Sequence, residues 1–579
     1  MRKKIGVGYE NFKEFIDEEM YYADKTLLIR DVLENGGKVT LFTRPRRFGK
    51  TLALSMLRTF FEAEVDRNGE AVDNRRYFSG MKVMECGEEV LSKMGRYPVI
   101  KLSLKSAMQP TLRGAFLKIR DEIVDEYGRH IYVDGSELLT PAQRQSFASF
   151  LLPRKAEEIR TEEELAVEMD LYSTALRTLS DCLYKYHGQK VVVLLDEYDV
   201  PLENAYFSGF YSEMIGFIRS LFESALKTND SLEFAVVTGC LRINRESIFT
   251  GMNNLKINSI RDERFSEGFG FTEVETEKML REYGMEDRIP EAKEWYNGYL
   301  FGKNEIYNPW SITAYVDAIA NNGRKFAEAY WANTSSNSII KDMVFHADDD
   351  VKEELDLLIQ GGTIEKMIHE DITYGDIHES EDNLWNFRFF TGYMKEVSER
   401  REGKYILATM KIPNLEVASI YERQIKKWFE DVVKTSDRGD FYRAVLEGDT
   451  TGMEDFLNVL LDKCISTFDS AESFYHGFFL SLLFGLPGYT PKSNREAGDG
   501  RPDIVLEPKR PRDPAIIFEL KRRKKFSQMQ GGIREAFGDI REKRYEEGVL
   551  DDGFLGVKSY GVCFCRKSCI IERYPGGAF

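Results

Sequence analysis

The chain has 579 residues, of which 42% are apolar and 31% are charged, and its formal net charge at pH 7 is −17. This length exceeds what one hydrophobic core can fill, so we expect about three folding units. The acidic balance excludes a protein that coats nucleic acid over its whole surface, because phosphate is repelled by a uniformly acidic surface. Any contact with nucleic acid must therefore be local.

Two features of the sequence bear on the compartment. No segment reaches the uninterrupted apolar length of a membrane helix, and the basic N-terminal stretch MRKKIGVGYENFKEF is not followed by an apolar run. Seven cysteines in a chain of this length indicate reduced thiols rather than a disulfide framework. We therefore expect a cytoplasmic protein without a membrane partner.

The first half of the chain alternates apolar strands with helical patterns. We expect strands at residues 38–43 (KVTLFT), 97–102, 190–196 (KVVVLLD) and 232–239 (LEFAVVTG), and a helix over TLALSMLRTFFEA. Continuous apolar strands that alternate with helices are typical of a parallel sheet covered on both faces. The sequence therefore predicts an α/β domain.

The segment Arg44–Thr51, RPRRFGKT, joins the first strand to the first long helix and fits the phosphate-binding pattern GxxxxGK[ST] except at its first position. Lys50 would contact the β- and γ-phosphates of a nucleotide, and the Thr51 hydroxyl would bind Mg²⁺. Backbone N–H groups of the loop and the helix start would face the same phosphates. The other residues expected in this nucleotide contact are Arg44, Arg47, Phe48, Gly49 and Leu52. The alternative is a basic surface loop.

Polar residues at the ends of two later strands favour the nucleotide site over that alternative. The strand VVVLLD ends in Asp196 and is followed by Glu197. Asp196 would lie beside Mg²⁺, and Glu197 would polarise the attacking water. Thr238 ends the next strand and would sense the γ-phosphate, since open parallel sheets bind ligands at the carboxyl ends of their strands. The expected cofactors are therefore ATP and Mg²⁺.

Two arginines follow Thr238 in the segment GCLRINRESIF. Arg242 or Arg245 could reach a phosphate within the chain or across a subunit interface, and the second arrangement would require a homo-oligomer. A solvated helix start is the alternative.

Beyond about residue 265 the sequence changes to amphipathic helices and aromatic-rich turns such as WYNGYLFGKNEIYNPWS. The segment Leu384–Asn414 indicates a helix followed by a hairpin with the charged turn SERREGK. We expect a helical lid that includes a small winged-helix-like unit.

A second group of acidic and basic residues lies near the C-terminus. Asp503 opens a strand in RPDIVLE, and AIIFELK places Glu519 and Lys521 on the next strand, where residues two apart project to the same face. Asp503 and Glu519 would bind Mg²⁺ through oxygen, and Lys521 would position or help deprotonate a water. The run KRRKK that follows indicates a local phosphate-binding surface, with a solvated helix start as the alternative. His476 could contact this site or be a satisfied core histidine.

Segments from most of the chain support a family resemblance. They are YYADKTLLIRDVL, LFTRPRRFGKTLALSML, LLDEYDVPLENAY, TGCLRINRESIFTGMNNL, WYNGYLFG, YNPWSI and YWANTSSNSII. Together they resemble the predicted AAA-ATPase-like family of bacteria, which is usually followed by a PD-(D/E)xK nuclease-superfamily domain. The resemblance implies that an arginine-rich loop is the normal form around Arg44. It also implies that Glu496 is a further metal or water ligand and that Tyr545 contacts phosphate, with packing as the alternative for Tyr545. Asp539 stands where the family carries a glutamine.

The expected architecture is α/β, with a P-loop NTPase parallel sheet, a helical and winged-helix-like lid region, and a C-terminal restriction-endonuclease-like domain. The predicted boundaries are 1–264 for the ATPase core, 265–455 for the lid and 456–579 for the nuclease-like domain. The expected function is ATP hydrolysis joined to Mg²⁺-dependent cleavage of nucleic acid, with DNA favoured over RNA. The alternatives are a nucleotide-dependent switch whose C-terminal domain binds nucleic acid or protein without cutting, and an idle ATPase used for assembly.

Overall fold

A computed structural model describes all of the chain except residues 1, 67–69, 243–247, 250–251, 332–348, 371–373, 375–379, 425–436, 463–471, 494–496, 498–499, 511 and 577–579. The described residues form two compact units. The first falls within residues 1–335 and 363–420, and the second falls within residues 336–362 and 421–579. The finer division into three domains stays a prediction.

A five-stranded parallel sheet forms the centre of the first unit. Its strands are β1 (Val39–Thr43), β2 (Val99–Ser103), β3 (Val191–Asp196), β4 (Leu232–Gly239) and β5 (Leu255–Asn258). They run in the order β2-β3-β4-β1-β5, and every neighbouring pair is parallel. β1 and β3 are buried along their whole length, which explains their continuous apolar runs. Because β4 separates β1 from β3, the carboxyl ends of these three strands lie side by side.

Helices surround this sheet. They are α1 (Phe12–Asp17), α2 (Leu27–Asn35), α3 (Lys50–Phe61), α4 (Glu88–Leu91), α5 (Leu112–Arg129), α6 (Pro141–Leu151), α7 (Glu162–Ser173), α8 (Ala175–His187), α9 (Val200–Ser208) and α10 (Tyr211–Phe222). α3 follows β1 after a short loop and packs against β2, β3 and β4. Its buried residues include Leu54, Leu57 and Phe61, which recur at helical spacing. This packing fixes the start of α3 at the carboxyl edge of the sheet.

The chain continues with short strands and further helices. The strands are β6 (Phe271–Thr272), β7 (Tyr299–Phe301), β8 (Asn304–Tyr307), β9 (Ile364–Met367), β10 (Lys395–Glu402) and β11 (Tyr405–Lys411). The helices are α11 (Glu273–Glu282), α12 (Ile289–Tyr296), α13 (Pro309–Val316), α14 (Asp349–Ile359) and α15 (Glu381–Phe390). The strands form two antiparallel sheets, ordered β6-β8-β7 and β10-β11-β9. All of these elements except α14 belong to the first unit.

The expected helix and hairpin are present as α15 followed by β10 and β11. The hairpin turns at Gly403, whose φ is 61°, so most of the charged segment SERREGK lies on β10 rather than in the turn. The side chains of β10 are mostly exposed. A strand can carry this many charges because its side chains are solvated.

A mixed five-stranded sheet forms the centre of the second unit. Its strands are β12 (Tyr489–Ser493), β13 (Ile504–Pro508), β14 (Ala515–Arg522), β15 (Val557–Cys565) and β16 (Ser568–Arg573), in that spatial order. β14 and β15 are parallel, and the other neighbours are antiparallel. Besides α14, this unit contains the helices α16 (Gly439–Glu447), α17 (Thr450–Asp462), α18 (Glu472–Leu483), α19 (Met529–Glu542) and α20 (Tyr545–Asp551). α19 lies in the crossover between the two parallel strands and packs on both.

The α/β prediction is confirmed for both sheets. The first sheet contains one strand more than predicted, because β5 was not recognised in the segment NLKINSI. Three of its four residues are only half-buried, so the segment lacks the continuous apolar run that identified the other strands. In the ranges that the structure describes, no helix is both long enough and apolar enough to cross a membrane.

Candidate functional site

The loop between β1 and α3 contains two residues with positive φ. Arg47 has a φ of 70° and Gly49 a φ of 83°, and α3 begins at Lys50. A Cβ at Gly49 would meet no atom within 4 Å. Glycine is therefore favoured at this position by the positive φ and not by a lack of space for a side chain. Thr51 and Leu52 in the first turn of α3 are half-buried. The first N–H groups of α3 lack helical acceptors and lie at the end of this loop.

The Lys50 side chain folds over the same loop. Its Nζ donates to the carbonyl oxygens of Arg44 and Pro45, each at 2.9 Å, and lies 3.6 Å from Sγ of Cys240. Lys50 is only 6% exposed. The ammonium group is therefore held between the loop and the residue that follows β4.

Asp196 and Thr238 connect the ends of β3 and β4. The Thr238 hydroxyl donates to Oδ1 of Asp196 at 2.5 Å, and both side chains are buried. The second oxygen, Oδ2, is also buried and has no hydrogen-bond partner among the described residues. A buried carboxylate oxygen without a partner is unfavourable, and it is a suitable ligand for a hard cation. Oδ2 of Asp196 is therefore an oxygen atom that could bind a cation.

Glu197 follows Asp196 and has a φ of 53°, a conformation that residues with a Cβ rarely adopt. Burial raises the pKa of its carboxyl group, the charge of Asp196 adds to the rise, and the charge of Lys50 opposes it. A carboxylate with a raised pKa is a better proton acceptor near neutral pH than an ordinary one. Glu197 is thus suited to assist a water molecule near Lys50.

The Arg44 side chain is buried in the core. Its Nη1 donates to the carbonyl oxygens of Thr43 and Asn258 at 2.9 and 3.0 Å, and its guanidinium lies over the rings of Phe269 and Phe301. Burial lowers the pKa of Arg44 to about 10. A phosphate contact by Arg44 would therefore come from its main chain, and its side chain fastens the loop to the end of β5.

Two other loop residues also pack on aromatic rings. Phe48 is fully buried, and its ring centroid lies 4.9 Å from that of Tyr299 and 5.1 Å from that of Phe301. The Arg47 guanidinium lies 4.1 Å from the ring centroid of Trp310, and burial lowers its pKa. These contacts anchor two side chains of the loop on aromatic rings.

Arg46 was not singled out in the sequence. Its Nη2 forms an ion pair with Glu203 of α9, whose side chain is 7% exposed. Glu203 lies in LLDEYDVPLENAY, one of the segments that carry the family resemblance. That resemblance is the signal in the sequence from which the pairing of Arg46 with Glu203 could have been predicted. The pair joins the loop to the helix that follows Glu197.

Arg242 is engaged within the chain. Its Nη1 donates to Oε2 of Glu370 at 3.0 Å, and the other oxygen of Glu370 lies 3.6 Å from Arg261. Reaching a phosphate would require Arg242 to leave this carboxylate. Arg245 lies outside the described residues.

In the second unit, Asp503 and Glu519 are in contact. The Asp503 amide donates to Oε2 of Glu519 at 3.3 Å, and the Leu520 amide donates to Oδ2 of Asp503 at 2.8 Å. Antiparallel pairing of β13 and β14 brings these residues together, because β13 begins where β14 ends. Glu519 is 3% exposed, and burial, with the charge of Asp503, raises its pKa to about 7. Two adjacent carboxylates of this kind are stabilised by a cation.

Lys521 joins this pair to α19. Its Nζ donates to Oε1 of Glu519 at 3.0 Å and lies 2.6 Å from Oδ2 of Asp539, which also pairs with Lys543 at 3.1 Å. Burial alone would lower the pKa of Lys521, but the hydrogen bonds and charges of Asp539 and Glu519 outweigh burial and raise it. The amine is therefore held as an ammonium group. The involvement of Lys543 was not predicted.

His476 and Tyr545 contact the main chain around this site. His476 Nε2 lies 2.9 Å from the carbonyl oxygen of Asp503 and 3.2 Å from Oγ of Ser493, so its ring is hydrogen-bonded and contacts the main chain of the site. The Tyr545 hydroxyl donates to the carbonyl oxygen of Arg501 at 3.2 Å. Both side chains support the segment that leads into β13.

The carboxylates available for a metal are few. Among the described residues, no group of three or more His, Cys, Asp or Glu side chains is arranged to hold a metal ion. Asp503 and Glu519 form a pair, and Glu496, the further ligand implied by the family resemblance, lies outside the described residues. A cation at this pair would need its remaining ligands from water or substrate.

The two sites lie in segments that match known families. Residues 6–249, which contain β1 to β4, match the model of the family described as predicted AAA-ATPase, and residues 470–574, which contain β12 to β16, match that of the PD-(D/E)XK nuclease superfamily. A protein of Azotobacter chroococcum mcd 1, described as "Uncharacterized protein in vnfD 5'region", is 24% identical over 517 residues, which cover 87% of each chain. The chain therefore combines a segment that matches the predicted AAA-ATPase family model with a C-terminal segment that matches the model of the PD-(D/E)XK nuclease superfamily.

Proposed function

We propose that the first unit binds and hydrolyses ATP with Mg²⁺, and that the second unit uses Mg²⁺ to cleave phosphodiester bonds of nucleic acid, with DNA favoured over RNA. The observation that carries the proposal is the same in both units. Each has a lysine whose charge acts on a buried carboxyl group with a raised pKa, and that carboxyl group lies next to a second carboxylate. In the first unit these residues are Lys50, Glu197 and Asp196, and in the second unit they are Lys521, Glu519 and Asp503. A divalent cation would offset the repulsion between the two carboxylates, and the lysine could bind phosphate.

At the first site, Lys50 would exchange the carbonyl oxygens of its own loop for phosphate oxygens. N–H groups at the start of α3 would bind the same phosphates. The free Oδ2 of Asp196 and the Thr51 hydroxyl fit Mg²⁺, which when bound would offset the negative charge of the phosphates. Glu197 would orient the attacking water and accept its proton. Thr238 would hold Asp196 in place through its 2.5 Å hydrogen bond and lie near the γ-phosphate.

At the second site, Asp503 and Glu519 fit a hard cation because both offer oxygen and one of them is buried with a raised pKa. A bound Mg²⁺ would supply positive charge at the scissile phosphate. Glu519 must release its proton as the cation binds. Lys521 remains protonated because of Asp539 and Glu519, which supports a role in positioning water or binding phosphate rather than in removing a proton.

The test is an assay of the purified full chain with labelled ATP and a mixture of DNA and RNA in Mg²⁺. We expect both activities. Lys50→Ala should abolish nucleotide binding, because it removes the charge that faces phosphate. Asp503→Ala and Lys521→Ala should abolish cleavage without unfolding the protein. Asp513→Ala is the matched control, since Asp513 lies in the β13–β14 connection at the far end of the sheet.

The outcomes separate the alternatives. Cleavage by Asp503→Ala at the wild-type rate would exclude the nuclease assignment, and unchanged ATP affinity of Lys50→Ala would exclude the nucleotide site. ATP hydrolysis with nucleic-acid binding but no cleavage would favour the regulatory switch. Neither activity would favour an idle ATPase used for assembly.

A further inference from the structure

The loop that follows β14 presents two lysines and a phenylalanine to solvent. Lys524 and Lys525 are exposed, and Phe526 is 69% exposed. Arg523, one residue earlier, is instead paired with Glu535 of α19. The segment 524–526 is therefore a basic and aromatic surface in a chain whose net charge is −17.

This segment lies at the same end of the sheet as the carboxylate pair. Lys521 contacts Glu519 and lies three residues before Lys524. A second basic stretch, which includes Lys509 and Arg510, lies in the β13–β14 connection at the opposite end of β14, about 20 Å away at the usual rise per strand residue. The two stretches thus have similar charge but different distances from the site.

An exposed aromatic ring beside exposed lysines is suited to one form of nucleic acid. Phe526 is 69% exposed, and bases can stack on such a ring when they are unpaired. A single strand offers unpaired bases, whereas a duplex keeps its bases paired and stacked on one another. An apolar protein partner would require a larger exposed patch than one ring.

We propose that the segment 524–526 docks single-stranded nucleic acid beside the carboxylate pair, with Phe526 stacked on an unpaired base and the two lysines bound to flanking phosphates. The claim that the docked strand lies beside a cleavage site rests on the proposed nuclease function. The docking itself is a property of binding and can be measured without cleavage.

The experiment measures binding to the full chain by fluorescence anisotropy, in a buffer with chelator so that no cleavage occurs. The probes are a short labelled oligonucleotide without secondary structure and its duplex form. Phe526→Ala should weaken binding of the single strand about tenfold and change duplex binding by less than about twofold, since stacking needs an unpaired base. Phe484→Ala is the matched control, because Phe484 is 58% exposed and precedes β12 at the opposite end of the sheet.

A charge-reversal pair provides a second, independent arm. Changing Lys524 and Lys525 to Glu should weaken single-strand binding and reduce its salt dependence, whereas changing Lys509 and Arg510 to Glu should have a much smaller effect. All of these residues are exposed. Thermal unfolding should therefore be the same for all variants.

Equal single-strand affinity of the Phe526→Ala and Phe484→Ala variants would overturn the proposal, as would an equal loss for single strand and duplex. The nuclease function is tested separately in Mg²⁺. Binding that depends on Phe526 without any cleavage would support the docking surface and reject the nuclease. If nucleic acid is cleaved but the Phe526→Ala variant binds the single strand with unchanged affinity, the result would support the nuclease and reject the docking surface.

Discussion

Arg44 shows how a single residue can replace a glycine in a loop of this kind. Its amide donates to the carbonyl oxygen of Gly239, and its side chain donates to the carbonyl oxygen of Asn258. These bonds tie the end of β1 to β4 and β5. Burial of a guanidinium group is unfavourable, and the rings of Phe269 and Phe301 offset part of that cost. The Arg44 side chain thus stabilises the loop conformation, and a phosphate contact at this residue would come from its main chain.

The pKa of Glu519 would make the proposed cation binding at the second site dependent on pH. Burial raises this pKa to about 7, so the folded protein keeps a proton that an ordinary glutamate loses near pH 4.5. The stabilisation from that proton is present at low pH and is lost as pH rises through about 7. Mg²⁺ competes with the proton and should therefore bind and stabilise the protein more strongly at pH 8 than at pH 6.

We expect the apparent Mg²⁺ affinity to fall about tenfold for each pH unit below 7 and to level off above pH 8. Calorimetric titration and the Mg²⁺-induced shift in melting temperature measure this dependence. Glu519→Gln should remove both the affinity and its pH dependence. An affinity that stays constant between pH 6 and pH 8 would contradict the assignment of Glu519 as a ligand.

At the scale of secondary-structure elements, each site depends on one strand or helix that brings its side chain into contact with a residue of a neighbouring strand. In the first unit, β4 lies between β1 and β3 and brings Thr238 to Asp196. In the second unit, α19 packs on β14 and β15 and brings Asp539 to Lys521. Neither contact is local in the chain, so each depends on the packing of a whole strand or helix.

Two adjacent glycines of α19 allow a test of this dependence. A Cβ at Gly532 would lie well inside the van der Waals radius of Sγ of Cys563 on β15, whereas a Cβ at Gly531 would meet no atom within 4 Å. Gly532→Ala should push the helix away from the sheet and displace Asp539 two turns later. We expect a destabilisation of about 1–3 kcal/mol and a large loss of cleavage.

Gly531→Ala is the control. It should leave cleavage unchanged and stabilise the helix slightly, because alanine has a higher helix propensity than glycine. ATP hydrolysis should be unaffected by both substitutions. Wild-type stability and cleavage in Gly532→Ala would show that the position of α19 does not govern the site.

At the scale of the whole molecule, sequence analysis succeeded where one local pattern carries the information. Apolar runs identified β1 and β3, and the spacing of Glu519 and Lys521 on one strand indicated a common face. It missed β5, of whose four residues three are half-buried. It also missed the ion pairs of Asp539 with Lys521 and Lys543, which form only when α19 packs on the sheet. Sequence analysis also could not predict that the Arg44 side chain is buried, because this burial depends on aromatic rings more than 200 residues away in the chain.

A crystal structure with Mn²⁺ and a non-hydrolysable ATP analogue tests most directly whether both clusters bind a divalent cation and whether Lys50 contacts the phosphates of the nucleotide. We predict two anomalous peaks, one between Thr51 and Asp196 and one between Asp503 and Glu519. Lys50 should leave the carbonyl oxygens of its loop and contact the nucleotide. A structure with bound analogue in which Lys50 still contacts Arg44 and Pro45, or in which no metal lies at Asp503, would contradict the account.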